Sequence, residues 1–95
     1  MKNVLIYGDS NTWGYIPVTM HRYTRDVRFA GVVARELGEG HHVIEEGLED
    51  RTTVFDDHYD GYRNGLKTLP ALLLTHRPLD AMVIVLGTND LKYVS

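Results

Sequence analysis

Two uninterrupted apolar runs limit the folds that this chain can adopt. Residues 4–7 read Val-Leu-Ile-Tyr and residues 81–86 read Ala-Met-Val-Ile-Val-Leu, so both runs are rich in β-branched residues. Neither run alternates with polar residues, and such runs are typical of strands buried on both faces of a parallel sheet. A third, weaker strand is predicted at residues 42–45. The sequence therefore predicts an α/β fold.

The segment between the predicted strands at residues 4–7 and 42–45 has the spacing of an amphipathic helix. One helical face collects the apolar residues Phe29, Ala30, Val33, Ala34 and Leu37. Asp26 is the expected N-cap, because a carboxylate there accepts hydrogen bonds from the first free N–H groups of a helix. Gly38 is the expected left-handed end of this helix.

A second helix is predicted before the strand at residues 81–86. It is indicated by leucines at positions 66, 69, 72 and 73 and is expected to end before His76. Pro70 is expected near its first turn, so that residues 64–69 are irregular. The resulting order is β-α-β-α-β, and its crossovers should be right-handed. This order predicts a three-layer αβα, flavodoxin-like parallel sheet with strand order 2-1-3.

Each predicted strand runs into a small polar cluster at its carboxyl end. The clusters are Gly8-Asp9-Ser10-Asn11, Gly47, and Gly87-Thr88-Asn89-Asp90. Ligands of parallel α/β sheets bind outside the carboxyl ends of the strands, so the clusters are predicted to share one rim. Acyl transfer needs a nucleophile and hydrogen-bond donors for the developing oxyanion. Ser10 supplies a hydroxyl, and the candidate donors are its own backbone N–H, the N–H of Gly47 and the side-chain amide of Asn89.

These residues resemble the signature blocks of the SGNH/GDSL hydrolases. Gly8-Asp9-Ser10 is similar to the first block, Gly47 to the glycine of the second, and residues 87–90 to the G-x-N-D third block. Segments 44–48, 51–53 and 64–65 are similar to the arylesterase and carbohydrate-acetylesterase branch of that family. The resemblance therefore covers essentially the whole chain.

The resemblance implies a role for each of these residues. Ser10 corresponds to the nucleophile, and Ser10, Gly47 and Asn89 correspond to the oxyanion hole. Asp9 and Asp90 correspond to residues that orient the reacting groups. The implied reaction is hydrolysis of short-chain carboxylic esters through an acyl-enzyme, without a cofactor. Trp13 closely follows the nucleophile and is interpreted as part of an acyl pocket, the alternative being that it only covers the core.

One block of the family pattern has no counterpart in this sequence. The family's D-x-x-H block supplies the general base and its aspartate, and no Asp of this chain has a His three positions later. Strands 4 and 5 of the family sheet are also expected to be absent, so residues 1–95 are interpreted as a partial domain. We expect catalysis to need a carboxyl-terminal half or a partner chain, because serine without a base is a poor nucleophile near neutral pH.

The histidines of the chain carry little functional weight. His21, His41, His42 and His76 fall in predicted loops or near element ends, where a solvated imidazole is the usual case. His58 lies in an acidic loop after the second strand and is a candidate substitute base or metal ligand, although a solvated loop is the more common explanation. No helix-spaced pair of ligands supports a metal site, so none is predicted.

Two non-catalytic functions stay open at this point. The chain could be a fragment without activity, or a receiver-like module in which Asp9 and Asp90 hold Mg²⁺ and a phosphate. The sequence contains neither a G-x-x-x-x-G-K-[ST] phosphate loop nor a G-x-G-x-x-G fingerprint. Stabilisation by Mg²⁺ would favour the module, whereas covalent labelling of Ser10 would favour the esterase.

Composition and charge exclude several kinds of partner. The net charge is -3 and the basic residues are scattered singly, so no nucleic-acid partner is predicted. The chain has no cysteine, which fits a reducing compartment, and no apolar stretch approaches the roughly 18 residues of a membrane span. The chain is therefore predicted to be cytoplasmic. The strand at 81–86 would lie at an unprotected sheet edge, so self-association is also expected.

Overall fold

A computed structural model describes residues 1–56 and 61–94. The strands are β1 (Lys2–Gly8), β2 (Tyr15–Ile16), β3 (His21–Arg22), β4 (His41–Gly47) and β5 (Ala81–Val85). The helices are α1 (Ser10–Trp13), α2 (Phe29–Leu37) and α3 (Gly65–His76), with 3₁₀ turns at Gly61–Arg63 and Thr88–Lys92.

The main sheet is parallel, with the order β4-β1-β5. The predicted order 2-1-3 is therefore confirmed, and so is the α/β class. The strands β1 and β4 extend one or two residues beyond their predicted ends, because their pairing continues past the apolar runs, whereas β5 ends at Val85, one residue before its predicted end. In the β1–β4 pair the register reaches Gly8 opposite Gly47, and Gly8 also lies opposite Val85. The carboxyl ends of all three strands are thus level with one another.

One face of the sheet is covered by α2. The buried apolar cluster there consists of Val4, Ile6, Ala30 and Val43. The helix begins two residues later than expected, since its N-cap is Arg28 and not Asp26. The Asp26 carboxylate instead accepts a hydrogen bond from the Thr24 hydroxyl. The preceding chain folds back on the helix, because a Cβ built on Gly31 would lie 1.5 Å from the Arg25 carbonyl oxygen.

The amino-terminal part of α2 is also tied to β4 by an ion cluster. Glu45 accepts hydrogen bonds from Arg28 Nε at 2.8 Å and Nη2 at 3.0 Å, and it pairs with Arg25 Nη1 as well. The Glu45 side chain is only 10% exposed. The hydrogen bond from Arg28 is the largest cause that lowers the pKa of the Glu45 carboxyl below its usual value. The carboxylate is thus held ionised between two elements.

The other face of the sheet is covered by α3, which is longer and more regular than predicted. The helix runs without interruption from Gly65 to His76 and contains Pro70 in its interior, so the expectation of an irregular stretch at residues 64–69 is wrong for Gly65 onward. The start is fixed by tertiary contacts. Asn64 caps it by accepting from Leu66 N, and the buried Tyr7 hydroxyl donates to the Gly65 carbonyl at 2.7 Å.

A short hairpin follows α1, and the sequence reading did not predict it. Two-residue strands β2 and β3 pair antiparallel, and the turn between them holds Val18 and Met20 at positive φ. Both side chains are exposed, at 97% and 84%. Residues with a Cβ seldom adopt this backbone region, which is why no turn signal marked the hairpin in the sequence.

The strand β5 is covered less well than its neighbours. Met82, Val83 and Ile84 are 39%, 43% and 53% exposed, although their side chains alternate between the two faces of the sheet. Within the described residues β5 pairs only with β1. In the same part of the chain, no helix has both the length and the apolar character needed to cross a membrane.

Candidate active site

The three predicted polar clusters do lie at one rim of the sheet. The helix α1 starts directly after β1, and Asp9 caps it by accepting from Asn11 N at 3.1 Å. The Asp9 carbonyl accepts from the N–H groups of Thr12 and Trp13. The N–H groups of Asn11, Thr12 and Trp13 are therefore bonded to Asp9, and the Ser10 N–H takes no part in these bonds. Ser10 itself is half-buried.

Gly47 is the last residue of β4 rather than part of a turn. A Cβ built on Gly47 would lie 2.3 Å from the backbone nitrogen of Trp13 and 2.8 Å from the carbonyl carbon of Thr12. The end of β4 therefore touches the backbone of α1 directly. A glycine is needed at this position because any side chain would push the helix that carries Ser10 away from the sheet.

The segment after β4 contains a buried arginine that the sequence reading did not single out for a role. Arg51 is 5% exposed, and its Nη1 donates to the Glu46 carbonyl at 2.6 Å and to the Gly8 carbonyl at 3.1 Å. Its guanidinium also lies 4.1 Å from the centre of the Tyr7 ring. Burial is the largest cause that lowers the pKa of Arg51, yet a guanidinium stays protonated in proteins. A fixed positive charge thus lies between the ends of β1 and β4.

The third cluster is attached to the same segment. The Asn89 amide donates to the Arg51 carbonyl at 3.1 Å. Asp90 accepts from Thr53 N at 2.9 Å and from the Thr53 hydroxyl. A side-chain amide carries two hydrogens, and the bond to Arg51 uses one of them. Residues 51–53 therefore connect the end of β4 to the Asn89–Asp90 turn.

Trp13 lies beside the helix α1 and is half-buried. The Arg22 guanidinium lies 4.8 Å from the centre of its ring, and Arg22 Nε donates to the Trp13 carbonyl at 2.6 Å. The hairpin formed by β2 and β3 is held against α1 by these contacts. Whether the indole lines an acyl pocket stays a prediction.

The expectation of a solvated imidazole is wrong for His76. Its Nε2 lies 2.6 Å from Glu46 Oε2, and both side chains are about three-quarters buried, at 23% and 27% exposure. The helix α3 brings this histidine back across the sheet face to β4, which the sequence pattern could not reveal. His41 and His42 begin β4, at the edge opposite the rim, and His21 is exposed. His58 lies outside the described residues.

The carboxylates of the magnesium alternative are both engaged in hydrogen bonds of their own. Asp9 accepts from the backbone of α1, and Asp90 accepts from Thr53. Within residues 1–56 and 61–94, no group of three or more His, Asp or Glu side chains is placed to share a metal ion. No observation of the described residues therefore favours a magnesium site at this rim.

An apolar cavity of about 220 Å³ opens on the α3 face of the sheet. It lies between α3 and the uncovered part of β5, with Tyr7, Leu66, Leu69, Ile84 and Leu86 among its walls. Ser10, Gly47 and Asn89 do not line it. The cavity continues the exposed apolar surface of β5.

Comparison with known proteins finds solved structures that resemble the chain over nearly its whole length. No protein-family model and no curated protein sequence matches the chain. Among solved structures, the native aryl esterase of M. smegmatis is 46% identical and superposes with a TM-score of 0.95 over 100% of this chain. A carbohydrate acetylesterase from Sinorhizobium meliloti is 49% identical, with a TM-score of 0.92 over 95% of this chain. An esterase described as an SGNH hydrolase is 21% identical and shares the fold, with a TM-score of 0.71 over 99% of this chain.

The chain is 46–49% identical to solved aryl esterases and carbohydrate acetylesterases over 95–100% of its length, and it shares the fold of an SGNH hydrolase. The resemblance read from the sequence is therefore confirmed. The chain spans 47% of the M. smegmatis aryl esterase and 44% of the S. meliloti acetylesterase, which is less than half of their length.

Proposed function

We propose that the protein is a serine ester hydrolase in which the Ser10 hydroxyl attacks a carboxylic ester and forms an acyl-enzyme. The observation that carries this proposal is the direct contact between Gly47 and the backbone of α1. This contact sets the nucleophile on a short helix that packs against the peptide of a candidate oxyanion donor. Acyl transfer needs these two elements to be held in a fixed relationship.

The proposed oxyanion hole consists of the backbone N–H groups of Ser10 and Gly47 and the side-chain amide of Asn89. Three features support it: Ser10 N–H lies outside the capping bonds of α1, Gly47 lies against that helix, and Asn89 is attached to the segment that follows β4. Removal of one such donor costs about 10² to 10³ in rate in other acyl-transfer enzymes. Asp9 and Asp90 are proposed to fix the backbone on both sides of this hole.

The proposed substrates are small esters with short acyl chains, such as acetyl esters. The M. smegmatis relative is an aryl esterase, which supports an ester as the substrate class, and the S. meliloti relative is a carbohydrate acetylesterase, which supports a small acyl group. The proposal for Trp13 is that its indole forms one wall of the acyl pocket. No cofactor enters this mechanism.

The general base is proposed to come from polypeptide outside residues 1–95. Among the histidines of the described residues, His76 is bonded to Glu46, and His41 and His42 lie at the amino-terminal end of β4, away from the rim. The exposed faces of β5 are the proposed contact surface for that polypeptide, either as a further part of the same protein or as a partner chain. Without it, the rate is expected to fall to a residual level, about 10³- to 10⁴-fold above that of the uncatalysed reaction in water, which a site without its triad retains.

Hydrolysis of p-nitrophenyl acetate tests the proposal. The rate should be measured for residues 1–95 alone and after addition of the carboxyl-terminal part of a related arylesterase. The chain has only two serines, Ser10 and Ser95, so Ser95→Ala is a matched control for Ser10→Ala. We expect the addition to raise the rate for the unchanged chain and for Ser95→Ala, and to have no effect for Ser10→Ala.

A fluorophosphonate provides a second test that identifies the reacting atom. The intact mass should increase by one phosphonyl group in the complemented chain, and peptide mapping should locate the group at Ser10. Labelling at Ser95, or a folded complex without Ser10-dependent hydrolysis, would contradict the proposal.

A further inference from the structure

The buried charge of Arg51 acts on a peptide group that the proposed oxyanion hole uses. The Glu46 carbonyl, which accepts from Arg51 Nη1 at 2.6 Å, belongs to the same peptide unit as the N–H of Gly47. Because a peptide unit is planar, fixing the direction of its carbonyl also fixes the direction of its N–H. The orientation of the Gly47 donor is thus tied to the Arg51 guanidinium.

The charge also changes the strength of that donor. A hydrogen bond to a carbonyl polarises the peptide and strengthens the bond that its N–H can donate, and a charged donor has the larger effect. The guanidinium is shielded from water, since Arg51 is 5% exposed and lies over the Tyr7 ring. Screening by solvent is weak in such a place.

The same residue reaches the other two segments of the rim by separate atoms. Nη1 also donates to the Gly8 carbonyl at 3.1 Å, one residue before Asp9-Ser10. The backbone carbonyl of Arg51 accepts the Asn89 amide at 3.1 Å. A change of the side chain removes the contacts with Gly8 and Glu46 while it leaves the backbone acceptor of Asn89 in place.

We propose that Arg51 is the positioning residue of the oxyanion hole, which orients and polarises the Glu46–Gly47 peptide. The proposal rests on the proposed function of the rim, and it goes beyond it by assigning the strength of one donor to a side chain that does not touch substrate. A lone structural role would predict a loss of stability with no selective loss in the chemical step.

The test uses Arg51→Met and Arg51→Lys in residues 1–95 complemented with the carboxyl-terminal part of a related arylesterase. We expect Arg51→Met to lower kcat for p-nitrophenyl acetate by about 10- to 100-fold, below the loss for a missing donor, with KM unchanged. Arg51→Lys keeps a charge and one donor and should recover part of kcat. The amide proton of Gly47 should move upfield in Arg51→Met, because its peptide is no longer polarised.

Arg25→Met is the matched control. Arg25 Nη2 donates to the Val43 carbonyl of the same strand and its Nη1 pairs with Glu45, so the variant removes an arginine charge beside β4 without touching the Glu46–Gly47 peptide. It should keep kcat and the Gly47 amide shift. Wild-type kcat in Arg51→Met, an unmoved Gly47 amide, or loss of cooperative folding in both Arg51 variants would overturn the inference. If Ser10→Ala keeps its activity, the proposed function fails, whereas a shifted Gly47 amide would still support the contact made by Arg51.

Discussion

Gly47 lies flat against Trp13: a Cβ at residue 47 would come within 2.3 Å of the Trp13 backbone nitrogen. The contact joins the last residue of β4 to the last residue of α1, whose first residue is Ser10. Since both partners are main chain, neither can move aside as the end of a flexible side chain could. The position of Ser10 relative to the sheet therefore depends on the lack of a side chain at residue 47.

Gly47→Ala is expected to displace α1 and to lower the rate of ester hydrolysis. Insertion of one methyl group into a closely packed place costs about 1–3 kcal/mol of folding free energy. The displacement also separates Ser10 from the Gly47 N–H, so kcat should fall even at temperatures where the variant is folded. Urea denaturation and the hydrolysis of p-nitrophenyl acetate by the complemented chain measure the two effects.

Gly40→Ala is the control for this substitution. A Cβ on Gly40 would meet nothing within 4 Å, and its φ is not in the left-handed region. We expect wild-type rate and stability for Gly40→Ala. Equal behaviour of the two alanine variants would contradict a packing role for Gly47.

Asp90→Ala is expected to release the segment that joins Asn89 to β4. The Asp90 carboxylate accepts from both the backbone N–H and the hydroxyl of Thr53, and hydrogen bonds to charged groups contribute about 1.5–3 kcal/mol. Asp90→Asn keeps one oxygen for the Thr53 N–H and should cost less. Urea midpoints compare the two variants, and a loss for Asp90→Asn as large as that for Asp90→Ala would show that the acceptor oxygen for the Thr53 N–H contributes nothing.

Glu45→Gln is expected to destabilise the protein at neutral pH and not in acid. The pKa of Glu45 is lowered in the folded state, chiefly by the hydrogen bond from Arg28, so its contribution is present above its unfolded pKa and is lost as the pH falls through the folded value. We expect a deficit of about 1.5–3 kcal/mol at pH 7 that shrinks below about pH 4. Chemical denaturation of both proteins across this range measures the difference, and a deficit that is independent of pH would disprove the electrostatic cause.

The sequence was sufficient to predict the sheet and the position of the site, because both depend on local patterns. The apolar run at residues 4–7 marks the central strand, and polar residues directly after a buried strand must lie at the carboxyl rim of a parallel sheet. Ser10 and Asn89 were placed at this rim in this way, and their roles stay predictions. Neither prediction needed knowledge of which side chains touch.

Features that depend on contacts between distant segments could not be predicted. Arg51 is exposed or buried according to where residues 8 and 46 bring their carbonyls, and no local spacing reveals that. The bond between His76 and Glu46 likewise requires the path of α3 across the sheet. Pro70 is tolerated within α3 because contacts of Gly65 with Thr52 and Tyr7 fix the start of the helix earlier than local preference does.

The edge of the sheet at β5 gives the last prediction. The strand pairs on one side with β1, and within the described residues its other side has no strand partner. A flat apolar edge of this kind recruits further strands, and Met82, Val83 and Ile84 add exposed apolar surface on both faces. We therefore expect residues 1–95, when isolated, to sediment as a concentration-dependent mixture of monomer and larger species.

A charge on the strand should suppress this association. Val83→Lys places an ammonium on β5, which natural edge strands use to prevent pairing, and it should shift the sedimentation profile toward monomer. Val18→Lys introduces the same group at the tip of the β2–β3 hairpin, where Val18 is 97% exposed, and should leave association unchanged. If Val18→Lys suppressed association as strongly as Val83→Lys, net charge rather than the β5 edge would be the cause. A chain that sediments as a single monomer at every concentration and melts cooperatively would contradict the prediction altogether, because the exposed edge would then need no partner.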